Sequence, residues 1–375
     1  MKKQTHITLF ILLFSYLFSN SLFILKYSAD FTNISPVFII FLYNLFFLIF
    51  IFLFIKKFFN LFNNIYFPIL MFFVIFLISI LCCVYFSSFH TTVTRNLAIN
   101  NWIGHFLSKN FPYNDSVKPS GFPFLFFLII PFYILGLSNY LSIFALLVFS
   151  ISLFLYFRKN YFNISFSLLL LFLSPMYYYE IIVKSDLFFN TAIFLFSLLI
   201  FLRYYKPNKL NSLFWGFLLG IFLSTRGIFI LIYLIFVFFV FKNKFKHLIL
   251  FIVSSFFGFS ITIIPFVYWN YSDFICYGPF SIQTSYIPFS ILLLFLVISL
   301  YLGYVSRNIK NVFIYSSIIL FLVILLLFTK EVFEAGFVTV LYNDIFDISY
   351  FLFHLPFTIF SLNYYNEDIF YQNTN

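Results

Sequence analysis

Three short polar clusters interrupt an otherwise apolar chain, and they hold the side chains whose types and spacing suit chemistry. The first, Phe89-His90-Thr91-Thr92-Val93-Thr94-Arg95-Asn96, brings a histidine and an arginine. The second runs from Tyr177-Tyr178-Tyr179-Glu180 to Lys184-Ser185-Asp186 and brings two carboxylates and a lysine. The third is Ser224-Thr225-Arg226-Gly227. A carboxylate pair, a histidine and three cations form a set that binds a phosphate and moves a proton. The plain alternative for each cluster is a charged helix end that faces water. An ionisable group at membrane depth costs roughly 2.5–3.5 kcal/mol on insertion scales, so it requires a partner or a watery cavity.

The elements that must position these clusters are set by composition. Of 375 residues, 63% are hydrophobic and 9% charged, against roughly 25% charged in a soluble domain. So little polar surface cannot cover so much apolar surface in water, and lipid is the solvent that fits. The 69 Phe and 28 Tyr carry no functional weight, because an AT-rich coding sequence favours their codons and lipid-facing positions tolerate Phe. Apolar segments of transmembrane character lie near 7–25, 36–55, 65–86, 139–157, 161–178, 187–203, 211–225, 227–241, 247–267, 287–305, 311–328 and 345–362. The expected fold is therefore all-α and polytopic, with about 11–13 spans. The stretch from Phe122 to Leu135, interrupted by Pro131, reads as an interfacial or re-entrant segment. Met1-Lys2-Lys3 before an apolar run resembles a signal peptide, but no Ala-x-Ala-like site follows, so an uncleaved first helix is expected.

Charge orients this arrangement. With the N-terminus in the cytoplasm, 14 of the 21 basic residues fall on inner segments, as the positive-inside rule requires. The net charge of +10 is thus a property of short inner loops and excludes a nucleic-acid partner. All three polar clusters then lie on the outer face, beside a loop of about 30 residues from His90 to Gly121. Cys82 and Cys83 sit in an apolar run and Cys276 stands apart, so there is no disulfide framework and no CxxC metal pair. No cofactor is implied, and a divalent metal is left open.

The order of several stretches resembles the GT-C glycosyltransferases, membrane enzymes such as the protein O-mannosyltransferases and the aminoarabinose lipid A transferases. Ala98 through Asn110-Phe111-Pro112-Tyr113 resembles the first outer-loop helix of that family and the turn that ends it. Lys118-Pro119-Ser120-Gly121-Phe122-Pro123-Phe124, continuing to Pro131-Phe132-Tyr133-Ile134-Leu135-Gly136, resembles the Pro-rich interfacial segment. Ser174-Pro175, Tyr177, Glu180 and Ser185-Asp186-Leu187 resemble the second outer loop. Gly216-Phe217-Leu218-Leu219-Gly220 through Ser224-Thr225-Arg226-Gly227 resembles a glycine-spaced helix followed by a basic turn. The likeness spans roughly residues 65–245.

The resemblance implies a sugar carried on a polyprenyl phosphate, an acceptor deprotonated by a loop carboxylate, and cations on the leaving phosphate. Asp186 matches the second-loop acidic position and Arg226 a position suited to the phosphate. Lys184 and Arg95 are further candidates for that role, with Glu180 and Tyr179 beside them in the binding set. His90 stands where the first-loop Asp is usual, a departure that a neutral imidazole can fill as a base near pH 7; Asp115 is a spare candidate. Two extra spans in residues 1–64 depart from the family pattern, ahead of the catalytic part at 65–245 with its outer loop at 88–138. The spans of 246–375 carry no decodable motif.

The expected activity is sugar transfer to a glycan, lipid or protein acceptor outside the cytoplasm, by an enzyme of the inner (plasma) membrane. A transporter or flippase of lipid-linked glycan, a polymerase-type enzyme and a non-catalytic relative are the alternatives.

Overall fold

The computed structural model describes residues 2–57, 62–86, 95–115, 119–343 and 345–371. No strand occurs among them. Without water to satisfy backbone groups, an apolar segment must bond internally, and the helix does so. The helices are α1 (Lys2–Tyr27), α2 (Pro36–Lys57), α3 (Tyr66–Tyr85), α4 (Arg95–Leu107), α5 (Pro123–Ile134) and α6 (Leu141–Phe157). Next come α7 (Tyr161–Phe172), α8 (Pro175–Ile182), α9 (Leu187–Tyr204), α10 (Lys209–Leu223), α11 (Phe229–Phe241) and α12 (Phe245–Trp269). Then α13 (Tyr271–Tyr277), α14 (Pro279–Tyr286), α15 (Phe289–Val305), α16 (Ile309–Ala335), α17 (Phe337–Tyr342) and α18 (Leu355–Tyr371) complete the chain, with a 3-10 turn at Ile348–His354 before α18.

Where about twelve spans are expected, six helices among the described residues are long and apolar enough to cross a membrane. A seventh is formed if the bent pair α7–α8 counts as one span. Of the other expected segments, α2 has 22 residues, while α10, α11 and α15 are shorter apolar helices of 15, 13 and 17 residues. At about 1.5 Å per residue, α10 and α11 reach roughly 22 and 20 Å, short of the ~30 Å hydrocarbon core. Their shared turn is residues 224–228. The α7–α8 break bends by 61°. Ser174 is extended and Pro175 opens α8, as expected when proline pushes its predecessor out of helical geometry. That break carries Tyr179 and Glu180 onto a helix of their own.

Packing follows membrane rules, with small residues at close approaches and polar bonds between helices. Gly216 and Gly220 of α10 face the backbone of Phe251 and Ser255 on α12, and Gly258 of α12 faces that of Phe217. A Cβ on Gly220 would lie 2.0 Å from the Ser255 carbonyl oxygen. Buried His354 bonds Ser19 of α1 at 2.8 Å and Thr358 at 2.7 Å, and Asn363 of α18 donates to Ser167 of α7. Phe41, Phe73, Phe256 and Phe257 remain exposed, as lipid-facing side chains do.

The two ends of the bundle differ in chemistry. At one end, Arg158, Asn160 and Arg203 border a common cavity with Ile309, and asparagines cap the helices that begin there: Asn160 for α7, Asn208 for α10 and Asn308 for α16. The second and third polar clusters, joined by Arg95 of the first, meet at the other end.

Candidate functional site

Asp186 ends the loop after α8 at the N-cap position of α9, where it makes no side-chain capping bond but the positive helix terminus favours a carboxylate. Arg226 lies in the turn between α10 and α11. Forty residues separate them in the chain, yet Arg226 Nη2 donates to Asp186 Oδ2 at 2.9 Å, with the side chains 6% and 1% exposed. A second segment secures this turn: Phe122 N–H donates to the Thr225 carbonyl and Phe124 N–H to that of Ser224, each at 3.1 Å. The pairing brings Ser120 Oγ to Arg226 Nη1 at 2.5 Å. Asp186 Oδ1 and Arg226 Nε have no hydrogen-bond partner.

A second guanidinium stands beside the first. Arg95 opens α4 and donates to Ser185 Oγ at 3.2 Å and to Asp347 Oδ2. It lies 4.0 Å from Glu180 Oε1 and 5.2 Å from the Tyr350 ring. Burial pulls its proton affinity down, but the charges of Asp347, Tyr350 and Glu180 outweigh burial and hold it above the ordinary arginine range. Glu180 is fully buried, and neither of its carboxylate oxygens meets a hydrogen bond of good geometry. Consecutive residues join the two halves, Ser185 facing Arg95 and Asp186 facing Arg226.

Two neighbouring cavities lie beside the turn between α10 and α11, and Arg226 borders the smaller one. The smaller, of about 70 Å³, is bordered by Ser120, Arg226, Gln283, Tyr350 and Phe353. The larger, of about 470 Å³, is almost wholly apolar and runs between α10, α11, α12 and α15, past Leu223, Leu234, Phe259 and Phe295. Ile228, Gln283 and Ile287 border both. The larger cavity reaches Ile230, Ile252 and Phe256, which are exposed on the lipid-facing surface. The larger, apolar cavity thus runs from the surface of the bundle to Gly227, the residue after Arg226.

Of the residues singled out in the sequence, Asp186, Arg226, Arg95 and Glu180 converge. Tyr179 is buried next to Glu180, but its ring stacks on Tyr27 at 3.9 Å and meets Phe23 edge-on. Lys184, held in the left-handed region at φ 55°, acts electrostatically on Cys83 near the end of α3. Asp115 is exposed on the loop between α4 and α5. His90 lies outside the described residues. Four members of the site were not singled out: Ser120, Gln283, Asp347 and Tyr350. Ser120 sat inside a quoted stretch without a role, and the others belong to the motif-free C-terminal part. One signal was present for Gln283, the only one of three glutamines away from the chain ends.

Among the described residues, no three His, Cys, Asp or Glu side chains are grouped to hold a metal ion. No family model, no curated protein and no solved structure matches the chain.

Proposed function

We propose that the protein is a membrane glycosyltransferase of GT-C type. It would move a sugar from a polyprenyl-phosphate donor to a glycan, lipid or protein acceptor at the outer face of the plasma membrane. One observation carries the reading: Arg226 of the buried Asp186–Arg226 pair borders a small cavity that shares Ile228, Gln283 and Ile287 with a larger apolar cavity reaching the exposed surface. A guanidinium that is nearly excluded from water needs an anion, and its planar fork matches a phosphate.

In this reaction the acceptor hydroxyl attacks the anomeric carbon of the donor as the bond from that carbon to the phosphate oxygen breaks. The leaving polyprenyl phosphate gains one negative charge, which Arg226 meets with its free Nε and the hydrogens it now gives to Asp186 and Ser120. The acceptor proton passes to the unpartnered Oδ1 of Asp186, or to His90, which the family resemblance puts in the usual place of the base. Arg95 and Asp347 hold the outer loop against the C-terminal part and so shape the acceptor side.

The test is transfer of labelled sugar from a polyprenyl-phosphate donor by protein purified in nanodiscs. Arg226→Ala and Asp186→Ala should both abolish transfer measured per mole of folded protein. Full activity in both variants removes the mechanism. Movement of the donor across the bilayer without sugar transfer would assign the same cavity to a flippase.

A further inference from the structure

Gln283 on α14 belongs to none of the three polar clusters, yet its amide closes a ring of bonds around Arg226. Gly227 N–H donates to Gln283 Oε1 at 3.0 Å, and Gln283 Nε2 donates to the Ser120 carbonyl at 2.6 Å. Ser120 Oγ accepts from Arg226, and Gly227 follows Arg226 in the chain. Ser120, Gln283, Gly227 and Arg226 therefore form a closed loop that ties three distant segments together. Gln283 also stands on the border between the small polar-edged cavity and the large apolar one.

The residue type matters. A carboxamide offers a donor and an acceptor at once, so it satisfies both backbone groups. Being neutral, it does not compete with a phosphate for the guanidinium, whereas a carboxylate in its place would. Gly227 contributes by lacking a side chain: a Cβ there would stand 2.6 Å from Gln283 Oε1 and displace the amide.

We propose that Gln283 is the positioning residue of a lipid-phosphate site. Its amide fixes the Arg226 turn at the junction of the two cavities, so that the guanidinium meets the phosphate of an isoprenoid lipid whose chain occupies the larger cavity. This inference rests on the transferase reading above and adds to it a residue outside the likeness to known enzymes.

The experiment compares wild type, Gln283→Leu, Gln283→Glu and Gly227→Ala in nanodiscs. The probes are a polyprenyl monophosphate and the matching polyprenol without phosphate, with donor kinetics measured in parallel. Losing the ring should weaken monophosphate binding about tenfold in Gln283→Leu and Gly227→Ala, the equivalent of one good hydrogen bond. Polyprenol affinity should stay within about twofold of wild type, a change too small to reflect a lost contact. Gln283→Glu should bind the monophosphate more weakly still, because its carboxylate competes for Arg226. Donor KM should rise in step while kcat changes little.

Wild-type monophosphate affinity in both Gln283 variants overturns the proposal. So does equal loss of monophosphate and polyprenol, which would mean packing alone. A protein that loses the monophosphate on Arg226→Ala but not on Gln283→Leu keeps the transferase reading and drops Gln283. Failure of the wild type to distinguish the phosphate from the alcohol removes both.

Discussion

The Asp186–Arg226 pair yields the sharpest prediction, because both partners are almost fully buried. Replacing Asp186 with Ala leaves Arg226 charged, since arginine does not deprotonate in proteins. Its remaining protein acceptor is then the neutral Ser120 hydroxyl. Removing one partner of a buried ion pair typically costs about 3–5 kcal/mol, roughly two to four powers of ten in the folded ratio. The double replacement Asp186→Leu with Arg226→Met removes both charges and keeps similar volume, and such neutral pairs are often as stable as the ion pair they replace. The assay compares wild type, Asp186→Ala and the double variant in two ways, by thermal unfolding in detergent and by sugar transfer in nanodiscs. Asp186→Ala should unfold well below wild type, the double variant should recover most of that loss, and neither should transfer sugar. Recovery of transfer in the neutral double variant would refute the reasoning, since the pair would then be a packing device. A single variant as stable as wild type would show that the guanidinium is not the isolated charge its burial implies.

Three further outcomes follow. Cys276 is exposed while Cys82 and Cys83 lie within α3, so a membrane-impermeant maleimide applied to intact cells should label Cys276 alone; labelling that requires permeabilisation would invert the assigned orientation. Gly220→Ala should lower the unfolding temperature and the yield, because its Cβ meets backbone of α12 and overpacking costs about 1–3 kcal/mol or more; Gly104→Ala, whose nearest contact is the Tyr133 hydroxyl at 3.5 Å, is the control that should behave as wild type. Ile252→Trp at the lipid-facing mouth of the larger cavity should raise donor KM several-fold and leave unfolding unchanged, and an unchanged KM would exclude that cavity as the tail site.

The sequence by itself determined the solvent and, through it, the class of structure. So few charges among so many apolar residues leave no fold but helices in lipid, and the sorting of basic residues between loops grouped the polar clusters on one side. Asp186, Arg226, Arg95 and Glu180 were legible as well, because an ionisable residue beside an apolar segment stands out against its surroundings. Only the tertiary structure decided which of these groups touch. A helix that is apolar all round has no polar face, so its rotation and neighbours cannot be read from periodicity; close packing at Gly216, Gly220 and Gly258 sets them instead. The fold set Arg226 against Asp186. It also brought Gln283, Asp347 and Tyr350 from a part of the chain without a recognisable pattern. Tyr179 shows the converse: its type and position matched the cluster, but its ring stacks on Tyr27. Residue type marks a candidate, and the geometry of the chain between candidates assigns each its partner.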